Sequence, residues 1–115
     1  MKVVKKYTFD AAHYLPRYVG KCKQLHGHTY TLEVIIEGSV NPDTGMVVDF
    51  YDIDTVVKNE VLSLLDHKCL NDVIENPTAE NVLVFVHEIL RKRFCDYKVV
   101  LRLWETQSAY VEGCY

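Results

Sequence analysis

The chain of 115 residues has no Cys-x-x-Cys pair among its four cysteines, Cys22, Cys69, Cys95 and Cys114. With 49% hydrophobic residues it needs no disulfide framework to hold a core, so free thiols are expected. Only five glycines and three prolines are present, with no low-complexity segment and no repeat, which argues against disorder and against a linker between domains. At this length a single domain over residues 1–115 buries roughly two-thirds of its unfolded surface. No apolar run is long enough to span a bilayer, and Met1-Lys2-Val3-Val4-Lys5-Lys6 lacks the apolar core of a signal peptide. The expectation is a soluble, cytoplasmic protein. Positive charge is not in excess either. A formal net charge of -3 argues against general nucleic-acid or anionic-membrane binding and leaves small molecules as the expected partners.

What is present is concentrated in Cys22-Lys23-Gln24-Leu25-His26-Gly27-His28, a thiol and two imidazoles within seven residues. If this stretch opens a strand continuing through Thr29 to Gly38, His26 and His28 project from one face. Gly27 between them leaves the backbone free to bend where a metal would draw the rings together. Zinc suits neutral imidazole, and a catalytic zinc keeps three protein ligands and one open position. The third ligand has to come from elsewhere.

Val3 to His13 alternates, with Val3, Tyr7, Phe9, Ala11 and His13 on one parity and Lys6, Thr8 and Asp10 on the other, as in a half-buried strand. The next strand places His26, His28, Tyr30, Leu32, Val34 and Ile36 together. Antiparallel pairing of the two would bring His13 beside His26 and His28, on the covered face. Between them, Tyr14 to about Gln24 has no clear period and is a candidate functional loop. After a turn at Asn41 to Gly45, Ile53, Val56, Val57, Val61, Leu64 and Leu65 predict a helix from about Tyr51 to Leu65, with Asp49 and Asp52 at its N-terminus. Thr78 caps a second predicted helix with Glu80 in its first turn and Val82, Phe85, Val86, Ile89 and Leu90 as its buried stripe, ending near Phe94. Val99, Leu101 and Leu103 alternate toward Glu105, and a last strand runs from Ala109 to about Tyr115. The order ββααββ predicts an α+β fold, a four-stranded antiparallel sheet with two helices on one face. Such a small sheet leaves open edges, so edge-to-edge association into an oligomer is expected.

Other residues could carry chemistry. Asp66 beside His67 can orient and charge the imidazole, although a helix C-terminus alone would favour a histidine there. Cys22 reads either as an activated thiolate near Lys21 and Lys23 or as packing. Glu105, on an apolar parity, needs donors, from a ligand's N–H groups or from a backbone or arginine partner. Arg17, Lys21 and Lys23 could attract phosphate or be solvated charges. His87 lies off the stripe of the second helix and is expected at the surface; Cys69, Cys95 and Cys114 are read as structural. A thiol hydrolase using Cys22 and His67 would work without zinc, and a non-catalytic zinc- or ligand-binding module would bind without turnover.

Phe9-Asp10-Ala11-Ala12-His13, Cys22-x-x-x-His26-Gly27-His28, Gly45 to Phe50, Leu65-Asp66-His67 with Leu70-Asn71, Pro77-Thr78-Ala79-Glu80 and Trp104-Glu105-Thr106 together resemble the 6-pyruvoyl-tetrahydropterin synthase and 6-carboxytetrahydropterin synthase family. The resemblance implies the tunnelling fold, in which sheets join into a barrel as trimers or hexamers with active sites at subunit interfaces. It also implies zinc on His13, His26 and His28, Cys22 as catalytic base or acid, Asp66 and His67 as its relay, and Glu105 with Thr106 holding the pterin. The implied substrate is 7,8-dihydroneopterin triphosphate. The three-residue spacing from Cys22 to His26 resembles the carboxy branch, whose product, 6-carboxy-5,6,7,8-tetrahydropterin, forms with release of acetaldehyde and leads toward deazapurine nucleosides such as queuosine. The pyruvoyl and 6-hydroxymethyl-dihydropterin products are the alternatives.

Overall fold

A computed structural model describes residues 1–114 of the chain. Two long strands, β1 (Lys2–His13) and β2 (His26–Glu37), pair antiparallel along their whole length. Alternation sends Tyr7, Phe9, Ala11 and His13 of β1, and Tyr30, Leu32, Val34 and Ile36 of β2, to a covered face, while Lys6, Thr8, Asp10 and Thr29 stay exposed on the other.

Helix α1 (Phe50–Val56) begins at Asp49, whose side chain accepts from the Tyr51 N–H. The helix continues as a π-helical stretch, Val57–Leu62, and closes in a short α turn, Ser63–Leu65. A regular α-helix was expected here. The fully buried residues Ile53, Val57, Val61 and Leu65 recur every four positions, which in an α-helix drifts by about 40° per step. Widening the middle turns keeps all four against the sheet.

The chain then forms a two-residue strand, β3 (Lys68–Cys69), parallel to β1 at Ala11 and Ala12. Helix α2 (Ala79–Arg93) follows, capped by the Thr78 hydroxyl accepting from the Asn81 N–H. Strand β4 (Lys98–Thr106) pairs with β2, and β5 (Ala109–Gly113) pairs with β4. The fold is α+β, but the sheet corrects the four-stranded, all-antiparallel expectation: it has five strands in the order β3-β1-β2-β4-β5. A two-residue strand is too short to show a period, and Lys68-Cys69 reads as turn from sequence. Residue 115, the expected end of the last strand, lies outside the described residues.

Both helical segments cover the same sheet face, and the core joins Phe9, Tyr30, Leu101 and Leu103 to Ile53, Val86 and Leu90. His87 corrects its surface expectation. It is 2% exposed, and its Nε2 lies 3.0 Å from the Val99 carbonyl of β4. The buried face of α2 runs through Val82, Leu83, Val86, His87 and Leu90, with Phe85 and Ile89 only partly covered. The ring nitrogen beside the strand carbonyl gives the buried imidazole a polar contact on that side. Among the described residues, no helix is long and apolar enough to cross a membrane.

Candidate metal centre and active site

The register of β1 and β2 sets His13 opposite His26 and Ala11 opposite His28, so three imidazoles meet at one end of the sheet. Their ring centroids are 4.6 to 5.2 Å apart. A Cβ at Gly27 would meet only the Ala11 carbonyl, at an ordinary 3.6 Å, so there is room for a side chain at this position. Antiparallel pairing brings the rings together.

Hydrogen bonds fix the tautomers. His13 Nδ1 lies 2.8 Å from the Pro77 carbonyl, and His26 Nδ1 lies 2.7 Å from the Gln24 carbonyl. A carbonyl only accepts, so both Nδ1 atoms carry a proton, and in the neutral rings both Nε2 atoms present lone pairs. Those Nε2 atoms stand 3.0 Å apart. Two facing lone pairs repel unless a cation lies between them, and one ligand atom from each of His13, His26 and His28 falls within 4.8 Å of the others. Burial pushes His28 below the ordinary imidazole range, against the Glu105 carboxylate and with the help of the other two rings. The neutral, ligating form is therefore favoured. A donor set of three neutral imidazoles fits zinc. Pro77 immediately precedes the Thr78 cap, so the start of α2 orients a ring on β1 in the manner of an outer-shell carbonyl behind a metal-binding histidine.

Glu105 joins this group. Its Oε1 lies 3.5 Å from His13 Nε2 and 3.7 Å from His28 Nε2, and no lysine or arginine pairs with it among the described residues. Its place comes from an irregularity in the sheet. Trp104 pairs with Tyr110 and Thr106 with Ala109, so Glu105 is the extra residue of a bulge. Thr106 is exposed, with its hydroxyl accepting from the Ser108 N–H at 3.3 Å.

Asp66 and His67 form a second cluster with Asp10. The Asp10 N–H donates to Asp66 Oδ1 at 3.0 Å, the His67 N–H donates to the Asp10 carbonyl at 2.7 Å, and His67 Nδ1 lies 3.0 Å from Asp66 Oδ1. The Asp10 N–H is the main cause holding the Asp66 carboxyl below the usual range, partial burial opposing it and His67 adding to it. His67 adopts φ +59, a left-handed conformation that is uncommon outside glycine, and three bonds hold this corner. Asp10 was legible as an exposed strand residue and as part of the Phe9 to His13 motif, without a role in the site; its contribution here is mostly backbone. His28 and His67 border one open depression of about 550 Å³, together with Asp10, Ala12, Gly27 and Lys68.

Cys22 is not brought to this pair. It sits in a 3₁₀ turn, Lys21–Lys23, its carbonyl accepts from the Leu15 N–H at 2.9 Å, and it has no hydrogen bond or ion pair with Asp66 or His67 among the described residues. Its thiol is partly exposed, with exposed Lys21 and Lys23 on either side. Arg17 pairs with Glu75 at 3.4 Å, both largely exposed. The Asn71 side chain clasps the start of this loop, accepting from the Tyr14 N–H and donating to the Tyr14 carbonyl.

Residues 2–113 match the model of the family described as 6-pyruvoyl tetrahydropterin synthase. The chain belongs to the 6-pyruvoyl tetrahydropterin synthase family. Within it, the chain is 38% identical to a dihydroneopterin monophosphate aldolase of Pyrococcus furiosus, over 96% of this chain and 95% of that one. It is 32% identical to a 6-carboxy-5,6,7,8-tetrahydropterin synthase of Haemophilus influenzae, over 96% of each. Its fold matches the 6-pyruvoyl tetrahydropterin synthase of Caenorhabditis elegans with a TM-score of 0.90 at 25% identity, covering 100% of this chain and 95% of that one.

Proposed function

We propose that this protein is a zinc-dependent lyase that converts 7,8-dihydroneopterin triphosphate and water to 6-carboxy-5,6,7,8-tetrahydropterin, releasing acetaldehyde and triphosphate. The observation that carries the reading is the approach of His13 Nε2 and His26 Nε2 to 3.0 Å beside His28 and Glu105. Relatives named for this product and the three residues between Cys22 and His26 favour the carboxy branch.

His13, His26 and His28 would hold zinc through ring nitrogens, and zinc held there supplies Lewis acidity to side-chain oxygens of the pterin. Glu105 accepts from the pterin N–H groups, with Thr106 beside it. Cys22 removes a proton from a hydroxyl-bearing carbon of the pterin side chain and returns it later. Asp66 fixes the ring of His67, which carries protons to and from the site. Because Cys22 makes no hydrogen bond or ion pair with Asp66 or His67 among the described residues, the pair and the thiol are read as coming together from neighbouring subunits. Short outer strands β3 and β5 offer the edges for a trimer or hexamer whose sheets close into a barrel. The chain works as a single domain in the cytoplasm, on the route to deazapurine nucleosides such as queuosine.

A second reading has its own support: the Pyrococcus relative is named an aldolase of dihydroneopterin monophosphate. Cleavage of the side chain to 6-hydroxymethyl-dihydropterin is the corresponding outcome here. Mass spectrometry of zinc-loaded protein incubated with 7,8-dihydroneopterin triphosphate, and separately with the monophosphate, distinguishes them. Acetaldehyde with 6-carboxytetrahydropterin from the triphosphate is expected. A 6-hydroxymethyl pterin, formed chiefly from the monophosphate, would move the protein to the aldolase branch, and 6-pyruvoyl-tetrahydropterin would move it to the third.

A further inference from the structure

Three histidines are ordinarily enough for a catalytic zinc, with the fourth position left to water or substrate. Here a fourth protein atom stands beside two of the three rings. Ligand atoms about 2.0–2.1 Å from a tetrahedral zinc lie roughly 3.3–3.4 Å from one another. Glu105 Oε1 is 3.5 Å from His13 Nε2 and 3.7 Å from His28 Nε2, near that spacing for two of the rings. The set of ligand atoms within 4.8 Å of one another is the three imidazoles, so the carboxylate has to swing toward His26 to join them.

The placement is built rather than incidental. Parity along β4 turns Val99, Leu101, Leu103 and then Glu105 toward the covered face, and the bulge between Trp104 and Thr106 leaves Glu105 without an opposite residue on β5. A carboxylate there has no cationic side chain to neutralise it among the described residues; its only ion-pair partners are the two imidazoles. An anionic oxygen held against nitrogens that ligate in their neutral form asks for a cation shared by all of them.

We infer that in the substrate-free protein Glu105 is the fourth ligand of the metal held by His13, His26 and His28. The inference rests on the metal centre of the proposed function and goes beyond it, because there Glu105 binds only the pterin ring. One carboxylate cannot close the metal and accept the pterin N–H groups in the same geometry. Binding of the ring therefore draws Glu105 off the metal and opens the position that a side-chain oxygen takes, so recognition of the ring and opening of the metal become a single event.

Cobalt(II) serves as the probe, since its visible absorption reports ligand number and type. Zinc affinity is measured by competition with a chromophoric chelator, for wild type and Glu105→Gln, and the cobalt-loaded forms of both are compared. One cobalt per wild-type chain is expected, with a changed visible spectrum in E105Q and zinc affinity lowered by on the order of tenfold or more. An unchanged spectrum in E105Q overturns the inference, whether or not affinity falls, because a loss of affinity alone reports only the missing charge. In that case the three-histidine centre stands. Wild-type protein that binds neither metal would overturn the centre and the inference together.

Discussion

His13→Ala lowers zinc affinity by roughly 10²- to 10³-fold and abolishes turnover. Zinc held by a small set of protein ligands binds with about 10–16 kcal/mol, so one ligand among three or four accounts for about 3–4 kcal/mol. His13 should fall at the upper end of that range. Its ring is fully buried, its Nδ1 is aimed by the Pro77 carbonyl, and its Nε2 is the atom nearest to both His26 and Glu105. Truncation also strands that carbonyl, at a cost of about 1–3 kcal/mol in stability. His26→Ala, at a partly exposed position, separates the two effects: it should lose zinc with a smaller drop in melting temperature. Calorimetric zinc titration with a thermal melt checks both. Wild-type zinc affinity in either variant would remove that histidine from the centre.

Cys22→Ala gives the opposite pattern, with zinc retained and turnover lowered by about 10²- to 10⁴-fold, the range for removing a positioned acid or base. The thiol makes no hydrogen bond among the described residues and belongs to a three-residue turn that buries nothing, so its loss should leave the fold intact. The histidines are held by β1, β2 and the start of α2, none of which depends on Cys22. Rate measurements at matched zinc content are the check. An active Cys22→Ala protein would end its role as the base and leave Asp66 with His67 as the remaining candidates.

Much of this centre was legible because strands translate sequence into space simply. A period of two placed His13 with Phe9 and Ala11, and His26 and His28 with Tyr30; one assumption of antiparallel pairing brought the three together. Caps were equally readable, since Asp49 and Thr78 each offer an oxygen to an otherwise unpaired N–H of a first helical turn. Glu105 stood out as a carboxylate on an apolar parity, although neither the bulge that frees it nor its two imidazole partners could be read from spacing.

What escaped depends on backbone and on tertiary fit. Lys68-Cys69 becomes a strand only because the left-handed turn at His67 lays it alongside β1. The π-helical stretch leaves the pattern of Ile53, Val57, Val61 and Leu65 looking like an ordinary amphipathic helix, its four-residue spacing being the one clue. His87 was misplaced because an imidazole that bonds a carbonyl within the core counts as polar in any periodicity. The carbonyls of Pro77 and Gln24, which fix two tautomers, belong to no side chain at all.

The most direct test of the metal assignment is turnover of 7,8-dihydroneopterin triphosphate by protein stripped of metal with a chelator and then reconstituted with zinc, the pterin product being followed by mass spectrometry. The stripped protein should be inactive, and activity should return in proportion to zinc bound, reaching its maximum at one zinc per chain. Full activity in the stripped protein would contradict the reading of His13, His26 and His28 as a catalytic metal centre.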